Sequence, residues 1–96
     1  MLMVITYDVN TSQGDGEARL RKVARLCERY GTRVQNSVFE VMLDAAQLVT
    51  LKAEMSKLID LKHDSIRFYR LGNSYENKIE TMGRTQLVQI GGPLMF

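Results

Sequence analysis

Thr32-Arg33-Val34-Gln35-Asn36-Ser37-Val38-Phe39-Glu40-Val41-Met42-Leu43 is the stretch on which the topology turns. Val34, Val38, Phe39, Val41 and Leu43 favour extended backbone, because branched and aromatic side chains pack well on a pleated surface. Asn36-Ser37 places two polar turn formers in its middle, and so the stretch reads as two short strands of a hairpin.

Upstream, Leu2 to Val9 alternates Leu2, Val4, Thr6 and Asp8 against Met3, Ile5, Tyr7 and Val9, which predicts a first strand. Residues 10–16 are polar and contain glycine, and read as a loop. From Glu17 to Tyr30, Leu20, Val23, Ala24, Cys27 and Tyr30 recur at helical spacing, with Arg21, Arg25, Glu28 and Arg29 on another face. Gly31 is expected to end that helix as a left-handed cap. Downstream, Asp44 followed by Gln47 predicts a capping box, and Leu48, Leu51, Met55, Leu58 and Ile59 mark a second amphipathic helix. Asp64 to Leu71, with Ile66, Phe68 and Tyr69, reads as a fourth strand ending at Gly72.

The order β-α-β-β-α-β predicts an α+β, ferredoxin-like sandwich, with two helices on one face of an antiparallel sheet. Residues 1–73 form that core, and residues 74–96 are a C-terminal tail. Ile79, Met82, Leu87, Val88 and Ile90 suggest one or two short strands in the tail before Gly91-Gly92-Pro93 breaks the pattern. A monomer of this fold leaves its second sheet face bare, which implies a homodimer across which the tail pairs.

With 96 residues the chain suits one domain, and 45% hydrophobic with 25% charged residues is ordinary for a globular protein. No run approaches the roughly 20 apolar residues of a membrane span. The apolar start has neither a basic leader nor a small-residue cleavage site. Cys27, the one cysteine, cannot form an internal disulfide, and a cytoplasmic location is the expectation. His63, the one histidine, sits on a polar turn without partners for zinc or a catalytic triad.

Net charge is only +2, but residues 19–33 hold six of the thirteen cations against one acid, Glu28. Such a cluster is either a solvated helix face or a surface for polyanions. Arg19, Arg21, Lys22 and Arg25 can meet phosphates by counterion release and charge-assisted hydrogen bonds. Arg33 is held by a short strand, and Gln35 and Ser37 add neutral hydrogen bonds to phosphate or satisfy the edge of the sheet. Phe39 is core or a dimer-face aromatic, and Glu40, pointing the other way, is solvated or paired with a cation.

Asp8 ends the first apolar run. A carboxylate is costly to bury, so it belongs where the strand emerges into the loop. There it holds a metal or proton, or else accepts hydrogen bonds from loop amides at residues 10–12 or caps the following turn. Asn10, Thr11 and Ser12 orient a ligand or water, or are plain turn formers.

Three phrases carry a family resemblance: Val4-Ile5-Thr6-Tyr7-Asp8-Val9; Arg19-Leu20-Arg21-Lys22-Val23-Ala24; and, most specifically, Gly31-Thr32-Arg33-Val34-Gln35-Asn36-Ser37-Val38-Phe39-Glu40. With Tyr69-Arg70-Leu71-Gly72-Asn73, they make the chain resemble the CRISPR-associated protein 2 family from residue 2 to about residue 73. The resemblance implies a ferredoxin-like homodimer that joins the CRISPR-associated integrase in spacer acquisition, an antiviral function. It also implies a metal-dependent endonuclease acting on single-stranded RNA or duplex DNA. Asp8 then becomes the catalytic residue and metal ligand, contributed by both protomers. Loop 10–16 is longer than in the shortest members and reshapes the approach to it.

Phosphodiester cleavage needs an activated water and neutralised phosphoryl oxygens, and Mg2+ or Mn2+ supplies both. These ions take oxygen ligands and keep several waters, so one or two carboxylates suffice. Two other readings stay open: a DNA-binding scaffold that does not cut, and a toxin-type ribonuclease or small-ligand regulatory domain on the same fold.

Overall fold

The computed structural model describes residues 1–12 and 14–83. Its elements follow the order β1 (Leu2–Asp8), α1 (Gly16–Glu28), β2 (Gly31–Gln35), β3 (Val38–Met42), α2 (Ala45–Leu58) and β4 (Ser65–Gly72). All three strand pairings are antiparallel, in the spatial order β2-β3-β1-β4. The predicted ferredoxin-like sandwich is therefore the fold, and Asn36-Ser37 is the hairpin turn.

Alternation along β1 sorts its side chains between two environments. Met3, Ile5, Tyr7 and Val9 are buried with Phe39 and Val41 of β3 under the two helices. From α1 come Val23, Ala24, Leu26 and Cys27, and from α2 Leu48, Leu51 and Met55. Each large apolar side chain fully buried here contributes about 1.5–3 kcal/mol. Phe39 is 0% exposed, which settles it as core. Burial pushes the Cys27 thiol up to about 11, so Cys27 is a packing residue.

The opposite face follows from the register, because paired residues share a face. Val4 lies between Glu40 and Tyr69, and Thr6 between Val38 and Arg67. Leu2 pairs with Met42, and Asp8 with Ser65. Within the described residues no element covers this face, leaving Met42 52% and Tyr69 45% exposed. Glu40 stands half-buried among these residues without a described ion pair, contrary to the expected solvation or pairing. Burial raises its carboxyl above the ordinary value.

α2 starts as predicted: the Asp44 carboxylate accepts from the Gln47 amide at 2.7 Å, and the Gln47 side chain accepts from the Asp44 amide at 2.9 Å. α1 ends differently from expectation. Gly31 does not have positive φ and opens β2 instead of capping the helix. Its missing side chain lets β2 approach the backbone of Glu40 and Val41, where a Cβ would collide. Close approach, not handedness, is what this glycine provides.

Residues 73–83 form turns and no strand. The remainder of the expected tail strands, Leu87, Val88 and Ile90 included, lies outside the described residues.

Candidate nucleic-acid interface and the Asp8 strand end

Two grooves flank α1, and of the expected cations all but Arg19 line one or both of them. The first, of about 550 Å³, runs between α1 and the β2–β3 hairpin. Arg21 and Arg25 line it from the helix, and Arg33 and Ser37 from the hairpin, with Tyr7 at its base. Helical spacing puts Arg21 and Arg25 one turn apart on one side, and the strand fixes the direction of Arg33. The Arg33 guanidinium lies 5.3 Å from the centroid of the Phe39 ring and 3.4 Å from the Glu28 carboxylate. A core aromatic thus orients a surface cation.

Tyr7 and Asn36, read from the sequence only as strand and turn residues, also line this groove. The Tyr7 amide donates to the Ser37 carbonyl at 3.1 Å, and its hydroxyl to the Asn36 carbonyl at 3.4 Å. These bonds join the hairpin tip to the end of β1, one residue before Asp8. Burial raises the Tyr7 phenol above its ordinary value, against an opposing effect of Arg33. The pairing that brings Tyr7 here is long-range, and nothing in its local sequence signals it.

Gln35 does not join the groove. The register shifts between Arg33 and Gln35 and puts Gln35 opposite Val38, on the side away from the helices. Lys22 lies on the far side of α1, in a second groove of about 350 Å³ toward α2. Arg25 borders both grooves.

Arg19 has partners other than the phosphates expected of it. Its Nε donates to Asp64 at 2.9 Å and its Nη2 to the Asn10 carbonyl at 3.2 Å, while Nη1 pairs with Asp15. Only 14% of its side chain is exposed. Asp64 is buried and also accepts from the amides of Asn10 at 3.0 Å and Asp60 at 2.8 Å. Burial alone would raise the Asp64 pKa, but the Arg19 hydrogen bond, those two amides and the Arg19 charge outweigh it and hold the carboxyl below its ordinary 3.8. Arg19 and Asp64 therefore tie the start of α1 and loop 10–16 to the entry of β4.

This arrangement bears directly on Asp8. Two of the three loop amides expected to satisfy its carboxylate are engaged elsewhere: Asn10 donates to Asp64, and Ser12 to the Asn10 side chain at 2.9 Å. Asp8 is exposed at the end of β1, and no described residue forms a side-chain hydrogen bond or ion pair with it. Its oxygens fit a hard divalent cation in chemical type. One protomer supplies Asp8 alone, and the described residues contain no group of three metal-ligating side chains. His63 is on the surface, paired with Asp60 at 2.9 Å. No described helix is long and apolar enough to cross a membrane.

Fold and surface define a small ferredoxin-like domain with a cationic helix layer and a strand-end carboxylate that is unpaired among the described residues. A family model described as CRISPR associated protein Cas2 matches residues 1–79. The chain is 53% identical to the CRISPR-associated endonuclease Cas2 of Halalkalibacterium halodurans over 96 residues, all of both chains. The crystal structure of Streptococcus pyogenes Cas2 at pH 6.5 matches with a TM-score of 0.77 and 51% identity, covering 86% of this chain and all of that one. A chain from a partial Cas6-RT-Cas1–Cas2 complex matches with a TM-score of 0.68 and 25% identity, covering 99% and 98% of the two chains. The chain belongs to the Cas2 family of CRISPR-associated proteins.

Proposed function

We propose that this protein acts in CRISPR adaptation as a homodimer that holds nucleic acid and bridges the CRISPR-associated integrase, and that it cleaves phosphodiesters through paired Asp8 residues. The convergence of Arg21, Arg25, Arg33 and Ser37 on one groove beside the end of β1 carries this reading. Guanidinium groups match phosphate oxygens in planar, charge-assisted pairs, and the aromatic contact limits the freedom Arg33 loses on binding.

Integrase bridging is supported by the complex in which a structural neighbour occurs, described as containing Cas1 with Cas2. Nuclease activity is supported by the name of the Halalkalibacterium relative. The sheet face that the described residues leave uncovered, with Val4, Val38, Met42 and Tyr69, supports association with a second copy.

Mg2+ or Mn2+ held by Asp8 of both protomers would supply Lewis acidity and an activated water. The protein's own part is to leave Asp8 without a side-chain partner among the described residues, while the groove arginines retain the phosphate backbone on the helix side of the sheet. Asn10 cannot serve two acceptors with one amide, so its bond to Asp64 helps leave Asp8 available.

A metal-titrated cleavage assay on single-stranded RNA and duplex DNA tests the catalytic part. Asp8→Ala should reduce cleavage to background while the sedimentation coefficient and melting curve stay unchanged. Undiminished cleavage by a variant preparation free of contaminating nuclease removes Asp8 from the mechanism.

The non-cutting scaffold is the second reading. It is favoured by the placement of the basic grooves on the helix side of the sheet, whereas Asp8 alternates to the other side. On that reading no preparation cuts, and duplex binding survives Asp8→Ala but weakens when Arg21, Lys22 and Arg25 are neutralised together.

A further inference from the structure

The α1–α2 groove contains residues that play no part in the hairpin groove. Its rim carries Lys22, Arg25 and Arg29 from the α1 side and Lys57 from α2, against one acid, Glu54. Its floor includes Leu26 and Leu58. Positions 22, 25 and 29 follow the i, i+3, i+7 pattern, so these three cations form one stripe along the helix. Arg29 pairs with Glu54 at 3.5 Å, in an exposed contact of the kind worth about 0–1 kcal/mol. Lys22, Arg25 and Lys57 have no ion pair among the described residues.

A merely solvated basic surface does not require the cations to be continuous from one element to another. Here they are. Arg25 borders both grooves, and the cations follow one another from Arg33 on β2, over Arg21, Arg25 and Lys22, to Arg29 and Lys57, with the acids Glu28 and Glu54 paired to Arg33 and Arg29 in exposed contacts. Five of these six side chains lie on α1, its C-cap or the hairpin, and Lys57 carries the charge onto the second helix. An elongated run of cations suits a repeating anion better than a compact one.

We propose that the α1–α2 groove is a second phosphodiester-binding segment, in which Arg29 and Lys57 extend the backbone track from the hairpin groove across the helix layer. It rests on the nucleic-acid reading above and adds two phosphate-binding side chains to it. The track crosses the helix layer, on the opposite side of the sheet from Asp8. Nucleotides held by Arg29 and Lys57 are therefore not those presented to Asp8, and this segment acts in retention of the strand.

The salt dependence of binding tests this with fluorescent duplex DNA and single-stranded RNA, in EDTA so that both probes stay intact. Removing one cation that neutralises a phosphate should reduce the slope of log K against log salt by about 0.9 for duplex and about 0.7 for a single strand. Arg29→Gln with Lys57→Gln should thus lower the slope by about 1.8 on duplex or about 1.4 on RNA. Lys62→Gln, on an exposed turn outside both grooves, should leave it unchanged. A reduced slope with only one probe supports the proposal and identifies the polymer. Slopes equal to wild type with both probes, while wild type binds tightly, overturn the second segment and leave the nucleic-acid reading intact. A wild-type protein that binds neither probe overturns both.

Discussion

Asp64 shows most clearly what one residue contributes to this molecule. As a buried acid before β4, it accepts hydrogen bonds from Arg19 and from the amides of Asn10 and Asp60. Removing one member of such a buried pair leaves a charge and several donors without compensation. Asp64→Ala should cost about 3 kcal/mol in urea unfolding, because four N–H groups, two of Arg19 and the amides of Asn10 and Asp60, lose an acceptor at once. The pH dependence follows from the depressed pKa. Asp64 binds its proton more weakly folded than unfolded, so its contribution is fully present above the ordinary 3.8 and is lost as pH falls through the lower folded value. Urea midpoints measured down to about pH 2 should therefore fall along an acid limb in wild type that is shallower in Asp64→Ala. An equal limb in both would assign it to other groups, of which Asp60, also depressed, is the first to examine. The network was not legible in the sequence, where Arg19 reads as one more cation in a basic run. Its partner lies 45 residues away, and no local pattern marks that pairing.

At the scale of elements, strand and helix positions were legible because they depend on short-range periodicity. The hairpin split at Asn36-Ser37 and the Asp44–Gln47 capping box are both local, and both are present. Gly31 was misread because its role depends on a strand that passes beside it. Glycine after a helix commonly serves as a left-handed cap, but here the constraint is the nearness of Glu40 and Val41 on β3. Gly31→Ala should destabilise the protein by about 3 kcal/mol, since backbone must move to admit the methyl group. Ala in place of a capping glycine would strain only the end of α1. Amide exchange separates these outcomes: loss of protection concentrated in β2 and β3 follows from the close approach, whereas fraying confined to residues 26–30 would contradict it.

At the scale of the whole molecule, the described residues give the sheet one face covered by helices and one they leave uncovered, and the proposed dimer uses the latter. Met42→Asp with Tyr69→Asp should convert the dimer to monomer in sedimentation velocity, with circular dichroism preserved, because both side chains are exposed in the protomer. A variant that stays dimeric would place the interface elsewhere. The same division explains why site residues were unevenly legible. Asp8 could be singled out because a charge ending an apolar strand is conspicuous in one dimension. Arg21, Arg25 and Arg33 were visible as a cluster of charge, yet the sequence could not separate them from Arg19, which the fold turns inward to Asp64. Nor could it sort Lys22 into the other groove or add Lys57 from α2. By itself, then, the sequence determined the order of elements, the buried stripe of each helix apart from Leu26, which it missed, and the alternating faces of β1, all of which follow from repeats of two or about 3.6 residues. Tertiary structure alone decided which cations share a groove, what Asp64 holds and why Gly31 must be glycine. Those outcomes depend on contacts between segments far apart in the chain, whose partners become neighbours only after the layers pack.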